Sequence, residues 1–240
     1  MNTNRNIAMA MGVPTERAPM NPLRKTSLIA GVLYLLTFVS IPTLAIYGPV
    51  KSANYILGAG PDTSAIIGGI LEIIVALAGI GTAVILYPVL KRQSEGLALG
   101  LVASRILEAS TMFVGVAFIL SVVTLRQQGA GINALATSHA LVILYDRIFL
   151  LGQSFMPALN DLLLGFLLYH SRLVPRGLSL VGIVGGPTLL MGYFAIQFGL
   201  IGQHAPSAGL LAIPVALFEF SLGIYLLVKG FKPSGITANR

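Results

Sequence analysis

Apolar residues run in six long blocks, near 27–47, 64–88, 97–124, 141–169, 177–201 and 209–229, each separated from the next by a short polar stretch. A hydrocarbon core about 30 Å thick is crossed by about 20 helical residues rising 1.5 Å each, so every block is long enough for one transmembrane helix. The breaks carry residues that end helices: Gly48-Pro49, Gly60-Pro61-Asp62, Tyr87-Pro88 before Lys91-Arg92, Gln127-Gln128-Gly129, Pro175-Arg176-Gly177 and Gln203-His204-Ala205-Pro206. The short alternating segments of a β-barrel are not seen. The pattern predicts an all-α fold, a polytopic membrane bundle of six transmembrane helices over 27–231. Polar tails flank it at 1–26, which reads as disordered, and at 232–240. The block at 27–47 exceeds the apolar core of a signal peptide and is expected to stay as the first span.

Composition agrees with the pattern: 55% of residues are hydrophobic and 10% charged, and the mean hydropathy is +0.87. A net charge of +7 would suit a nucleic-acid partner, but no basic stripe interleaved with aromatics occurs. The basic residues flank apolar runs, so a bilayer with anionic headgroups is the expected counter-charge and no nucleic acid is expected. Positive loops are retained in the cytoplasm. Sorting the loops by side places Arg5, Arg17, Arg24, Lys25, Lys91, Arg92, Arg172, Arg176, Lys229, Lys232 and Arg240 together, against only Lys51 and Arg126 opposite. Both termini are therefore expected in the cytoplasm, in a bacterial cytoplasmic (inner) membrane. The chain has no cysteine, which excludes disulfides, thiolate metal sites and cysteine nucleophiles.

The informative chemistry lies in charges that membranes normally exclude. An ionised side chain at the bilayer centre costs at least about 2.5–3.5 kcal/mol on insertion scales, so such residues face the bundle interior and find partners. Arg105 and Glu108 stand three apart on the third span and share a face. Counted inward from the cytoplasmic ends, Arg105 and Asp161 both lie about 12 Å deep, which suits a direct ion pair. Glu219 and Glu108 lie slightly deeper, at about 15–18 Å. If spans three, four and six are neighbours, Arg105, Glu108, Asp161 and Glu219 converge on one layer, one arginine against three acids. That layer reads first as a buried cluster fixing helix packing, and alternatively as the site of a small proton-linked transporter or permease. Glu72 in the outer half is a secondary candidate. So are Asp146 and Arg147, which fall at the outer interface as an exposed helix end and, being adjacent, diverge by about 100° around the helix.

Other motifs add less. His139, His170 and His204 fall at span ends on both sides and cannot jointly hold a haem or metal, so neither metal nor cofactor is expected. No HExxH, Walker A, GxSxG or CxxC pattern occurs, and no enzymatic activity is expected. Gly96/Gly100 and Gly182/Gly186 have the four-residue spacing that lets helices approach closely. Pro42, Pro157, Pro187 and Pro214 interrupt spans one, four, five and six. A faint echo links Leu86-Tyr87 and Gly96-Leu97-Ala98-Leu99 to Leu168-Tyr169 and Gly177-Leu178-Ser179-Leu180, as in a parallel duplication.

Three stretches carry a family resemblance: Gly96-Leu97-Ala98-Leu99 leading to Arg105-Ile106-Leu107-Glu108, the run from Leu167 to Arg176, and Ile213-Pro214 to Phe218-Glu219 followed by Leu227-Val228-Lys229-Gly230-Phe231. Together they resemble the bacterial membrane family catalogued as domain of unknown function 4386, from about Arg24 to Phe231. The resemblance implies a six-span inner-membrane protein without an assigned activity, and brings no catalytic or binding residues. A homo-oligomer is compatible with all of this.

Overall fold

A computed structural model describes residues 20–52, 54–58 and 62–237. The breaks expected at Gly60-Pro61, most of the N-terminal tail and the end of the C-terminal tail lie outside the described residues. Among those residues there are helices and turns but no strand. Five segments are long and apolar enough to cross a membrane: Thr63–Leu90, Glu95–Gln127, Gly131–Ser171, Arg176–Gln197 and Pro206–Val228. They coincide with the last five expected spans.

The first expected span is not one helix. Helix α1 (Pro22–Leu36) starts inside the expected tail, because Asn21 accepts a hydrogen bond from the Leu23 amide at 2.9 Å and Pro22 sits at the first helical position. Its 15 residues are followed by successive tight turns through Pro42, then by the short helices α2 (Thr43–Ile46) and α3 (Gly48–Lys51). The Thr37 hydroxyl bonds back to the Tyr34 carbonyl at 2.6 Å, and Pro42 can donate no amide to a continuing helix. These two features unwind the segment.

Helices α4 (Thr63–Leu90) and α5 (Glu95–Gln127) form an antiparallel pair joined by a short turn, with Ser94 capping α5. The fourth span is composite: α6 (Leu135–Leu150), a π-helical turn (Leu151–Phe155) and α7 (Met156–Ser171). Pro157 has no N–H and would crowd the carbonyl four residues earlier, and the wider π turn directly before it relieves both problems. Arg172 ends α7 in the left-handed region at φ 56°, and α8 (Arg176–Gln197) begins after Pro175. Helix α9 (Pro206–Val228) closes the bundle.

Each of α1, α4, α5, the composite span, α8 and α9 packs on its neighbours in chain order, and α9 returns to α1, so the chain forms a closed ring. Gly31 makes that closure possible: a Cβ there would stand 2.7 Å from the Leu227 nitrogen and 2.8 Å from the Gly223 carbonyl, both backbone. Gly182 and Gly186 are close-packing positions as expected, against Phe218 and against Leu162 and the Ala158 carbonyl. Gly96 and Gly100 are not; Gly96 faces open space and Gly100 only touches Leu163 at 3.9 Å. Identical spacing therefore has different meaning, because only the second pair faces another helix closely.

The two ends of the ring differ. At the end bearing Arg24, Lys91, Arg172 and Lys229, one core joins α1, α4, α5, α7 and α9 through Tyr34, Leu86, Leu90, Leu101, Leu164, Leu167, Phe218 and Leu222. Arg24 closes this end by donating to the Leu226 and Leu227 carbonyls of α9 at 3.2 and 2.7 Å, satisfying helix-terminal acceptors with a cation. At the opposite end the core holds only α3 to α6, through Tyr47, Ile119, Val122 and Tyr145. The side bounded by α8 and α9 is left open there.

Candidate functional site

Arg105 is 3% exposed on α5, about three turns in from the basic end of that helix, and reaches two carboxylates. One of its terminal amino groups donates to Glu108 Oε2 at 2.9 Å, one turn along the same helix, and the other donates to Glu219 Oε1 on α9. The Glu108 oxygen also accepts from Asn160 Nδ2 of α7 at 2.7 Å, and Asn160 Oδ1 in turn accepts from the Ser104 hydroxyl. The guanidinium carbon lies 5.8 Å from the ring centre of Tyr34 on α1. One arginine thus ties together α5, α9 and, through Glu108 and Asn160, α7.

The expected layer of Arg105, Glu108, Asp161 and Glu219 is present, but its pairing differs from the sequence expectation. Asp161 is fully buried on α7, and neither of its oxygens accepts a hydrogen bond. Arg105 spends its terminal amino groups on Glu108 and Glu219 instead. Counting residues along helices fixed the common depth of these groups, whereas the direction each points around its helix decides the pairs. Tyr34 and Ser179 are likewise fully buried with unpartnered hydroxyls, as is the Arg105 Nε. Buried polar groups without partners cost about 1–3 kcal/mol each and are infrequent in native proteins.

Glu72 belongs to a separate cluster. It is 2% exposed on α4 and accepts from Tyr47 at 3.3 Å and from Tyr145 at 2.7 Å, whose rings meet edge to face at 5.5 Å. Lys51 lies 4.4 Å from the Tyr145 ring centre and pairs with Asp146 at 2.6 Å. Asp146, expected as an exposed helix end, is therefore half-buried under α3, which the broken first span folds over α6. Its carbonyl also accepts from Gln203 at 3.1 Å. Arg147 is exposed, but like Asp146 it lies within the continuous span Gly131–Ser171 rather than at a helix end. Neither tyrosine partner of Glu72 was legible from the sequence, because they lie 25 and 73 residues away. His139, His170 and His204 are all exposed.

Beside the same open end, Asp62 meets Tyr55, Gln127 and Arg126. Burial opposes ionisation there, but the Tyr55 hydroxyl, the Gln127 amide and the Arg126 guanidinium together hold the Asp62 carboxyl below its ordinary value. Both basic residues expected on this side, Lys51 and Arg126, are thus paired with an acid.

A cavity of about 290 Å³ lies inside the ring directly over the arginine layer. Arg105, Glu108 and Glu219 form its floor, and Phe38, Ile41, Met112, Phe149, Leu189 and Val215 supply much of its wall. A second cavity of about 410 Å³ shares Thr43, Leu44, Phe149, Gln153, Leu189 and Ala212 with the first and continues to Lys51, Gln203 and His204. The arginine layer is thus approached from the end opposite the basic loops. Both irregular segments of the bundle, 37–42 and the π turn through Gln153, line this space. Backbone of that kind is tolerated at membrane depth only where it faces a cavity or other protein.

These features define an all-helical membrane protein with a buried arginine–carboxylate layer at the bottom of a one-sided cavity. The family model for a domain of unknown function, DUF4386, matches residues 29–230, and the chain belongs to that family. No curated protein and no solved structure matches the chain.

Proposed function

We propose that the protein is a six-span protein of a bacterial cytoplasmic membrane, with both termini cytoplasmic, and that the Arg105 layer serves it as the internal brace fixing how the helices pack. The observation that carries this reading is the pairing of Arg105 with Glu108 on its own helix and with Glu219 across the ring. A shift of one residue in α9 would rotate Glu219 by about 100° away from the guanidinium, so the pair selects one register. Buried charge pairs are weak sources of net stability, and register selection is their better-attested use. The six-span reading counts α1 and the turns after it as the first crossing. The orientation follows from the gathering of Arg24, Lys25, Lys91, Arg92, Arg172, Arg176, Lys229 and Lys232 at one end.

The test is a double-mutant cycle on purified protein, with Arg105→Met and Glu219→Leu singly and together. The double variant is expected to be more stable than Arg105→Met alone. Additive losses from the two single changes would reject the brace.

A further inference from the structure

We propose that the cavity above the arginine layer binds a small lipophilic ammonium compound, its N–H groups held by Glu108 and Glu219 and its apolar body by the cavity walls. This goes beyond the bracing role, in which the layer needs no ligand.

The floor is built to take a cation. Glu108 uses Oε2 for both Arg105 and Asn160, and Glu219 uses Oε1 for Arg105, so Glu108 Oε1 and Glu219 Oε2 have no donor among the described residues. Both residues line the cavity while being only 8% and 9% exposed, so the surface left to them faces into it. Two carboxylates against one guanidinium leave the floor net negative when both are ionised. An anion is disfavoured there, because it would sit against two carboxylates with a single guanidinium to offset them. A hard metal ion is disfavoured too: it wants six or more oxygen ligands, the walls are largely hydrocarbon, and the described residues hold no group of three or more His, Cys, Asp or Glu able to bind one.

What remains complementary is a positive N–H donor on an apolar body. Charge-assisted hydrogen bonds to the two free oxygens would hold the head. Phe38 and Phe149 place aromatic side chains on the wall of the same cavity. The volume suits a compact amine, and the wider outer cavity past Gln203 and His204 provides an entry. A second, independent feature supports a ligand: the chain breaks helical geometry twice at membrane depth, at 37–42 and at the π turn, and both breaks border this cavity. Discontinuous helices and π turns recur where membrane proteins bind small solutes.

The experiment uses the full chain in zwitterionic-lipid nanodiscs, titrated calorimetrically with 1-adamantylammonium and with its neutral isostere 1-adamantanol, each corrected with empty nanodiscs. The ammonium is expected to bind at least about tenfold more tightly than the alcohol, about 1.4 kcal/mol. Glu219→Gln, which keeps an oxygen for Arg105 and removes the charge, should weaken the ammonium at least about tenfold. Ala212→Phe, which fills the passage shared by the two cavities, should abolish binding and leave the floor intact. Absence of ammonium binding to the unaltered protein, equal affinity for the alcohol, or undiminished binding by Ala212→Phe would overturn the proposal. The last variant decides the matter if Glu219→Gln does not fold. Unfolding stability, which reads the brace, is measured separately, so failure of either idea is distinguishable from failure of the other.

Discussion

Replacing Arg105 with methionine removes the one cation of the buried layer and leaves Glu108 and Glu219 facing each other without a counter-charge. Arg105 donates to both acids, and a hydrogen bond to a charged group contributes about 1.5–3 kcal/mol. Removing one partner of a buried pair costs about 3–5 kcal/mol, because the charge left behind stays desolvated. The side chains of Glu108 and Glu219 retain 10% and 12% exposure toward the cavity, so the lower half of that range, about 3–4 kcal/mol, is the expected loss. Detergent-titrated unfolding of the purified protein measures it. The companion variant Arg105→Met with Glu108→Gln and Glu219→Leu keeps an acceptor for Asn160 and removes the charges of both carboxylates that Arg105 pairs with; it should recover to within about 1 kcal/mol of the parent. A loss below about 1 kcal/mol for Arg105→Met, or no recovery in the triple variant, would refute the reasoning.

Three further outcomes follow from the packing and the loops. Gly31→Ala must push α1 away from the α9 backbone and is expected to cost about 1–3 kcal/mol by the same unfolding assay, whereas Gly96→Ala, facing open space, should be neutral or slightly stabilising. Asp62 has a depressed pKa in the folded state, so its contacts contribute fully above the ordinary aspartate value of about 3.9 and are lost as pH falls through the lowered one. The gap in thermal midpoint between the parent and Asp62→Asn should accordingly be constant from pH 7 to 5 and close in stronger acid; a gap that widens on acidification would contradict the assignment. Green fluorescent protein fused after Arg240 is expected to fluoresce and periplasmic alkaline phosphatase at the same place to stay inactive, the reverse pattern opposing the cytoplasmic C terminus.

The apolar blocks disclosed the long helices because hydrocarbon imposes a length that sequence displays directly. The first span was harder: block 27–47 is apolar throughout, and only Thr37 and Pro42 hint that it unwinds. Depth along a helix brought Arg105, Glu108, Asp161 and Glu219 to one layer, yet the long arginine side chain crosses to α9 rather than meeting Asp161 on α7. That choice depends on rotation about each axis and on ring closure, neither of which residue spacing encodes. The Glu72–Tyr47–Tyr145 cluster escaped for a related reason, since a tyrosine in an apolar stretch gives no sign of which acid it will meet. The π turn at Leu151–Phe155 left one trace, Pro157, which any kinked helix would share.

A ring sealed at its basic end and open at the other down to Arg105 is most directly tested by side-specific labelling, for which the absence of native cysteine is an advantage. Single cysteines at Thr43, Gln153 and Ala212 on the cavity wall, and at Leu164 and Leu222 in the sealed core, would be exposed to a membrane-impermeant maleimide from each face of oriented vesicles. The wall positions should react from the side opposite the basic loops only, and the core positions from neither. Reaction of the wall positions from the basic side, or of Leu164→Cys and Leu222→Cys from any side, would contradict the arrangement.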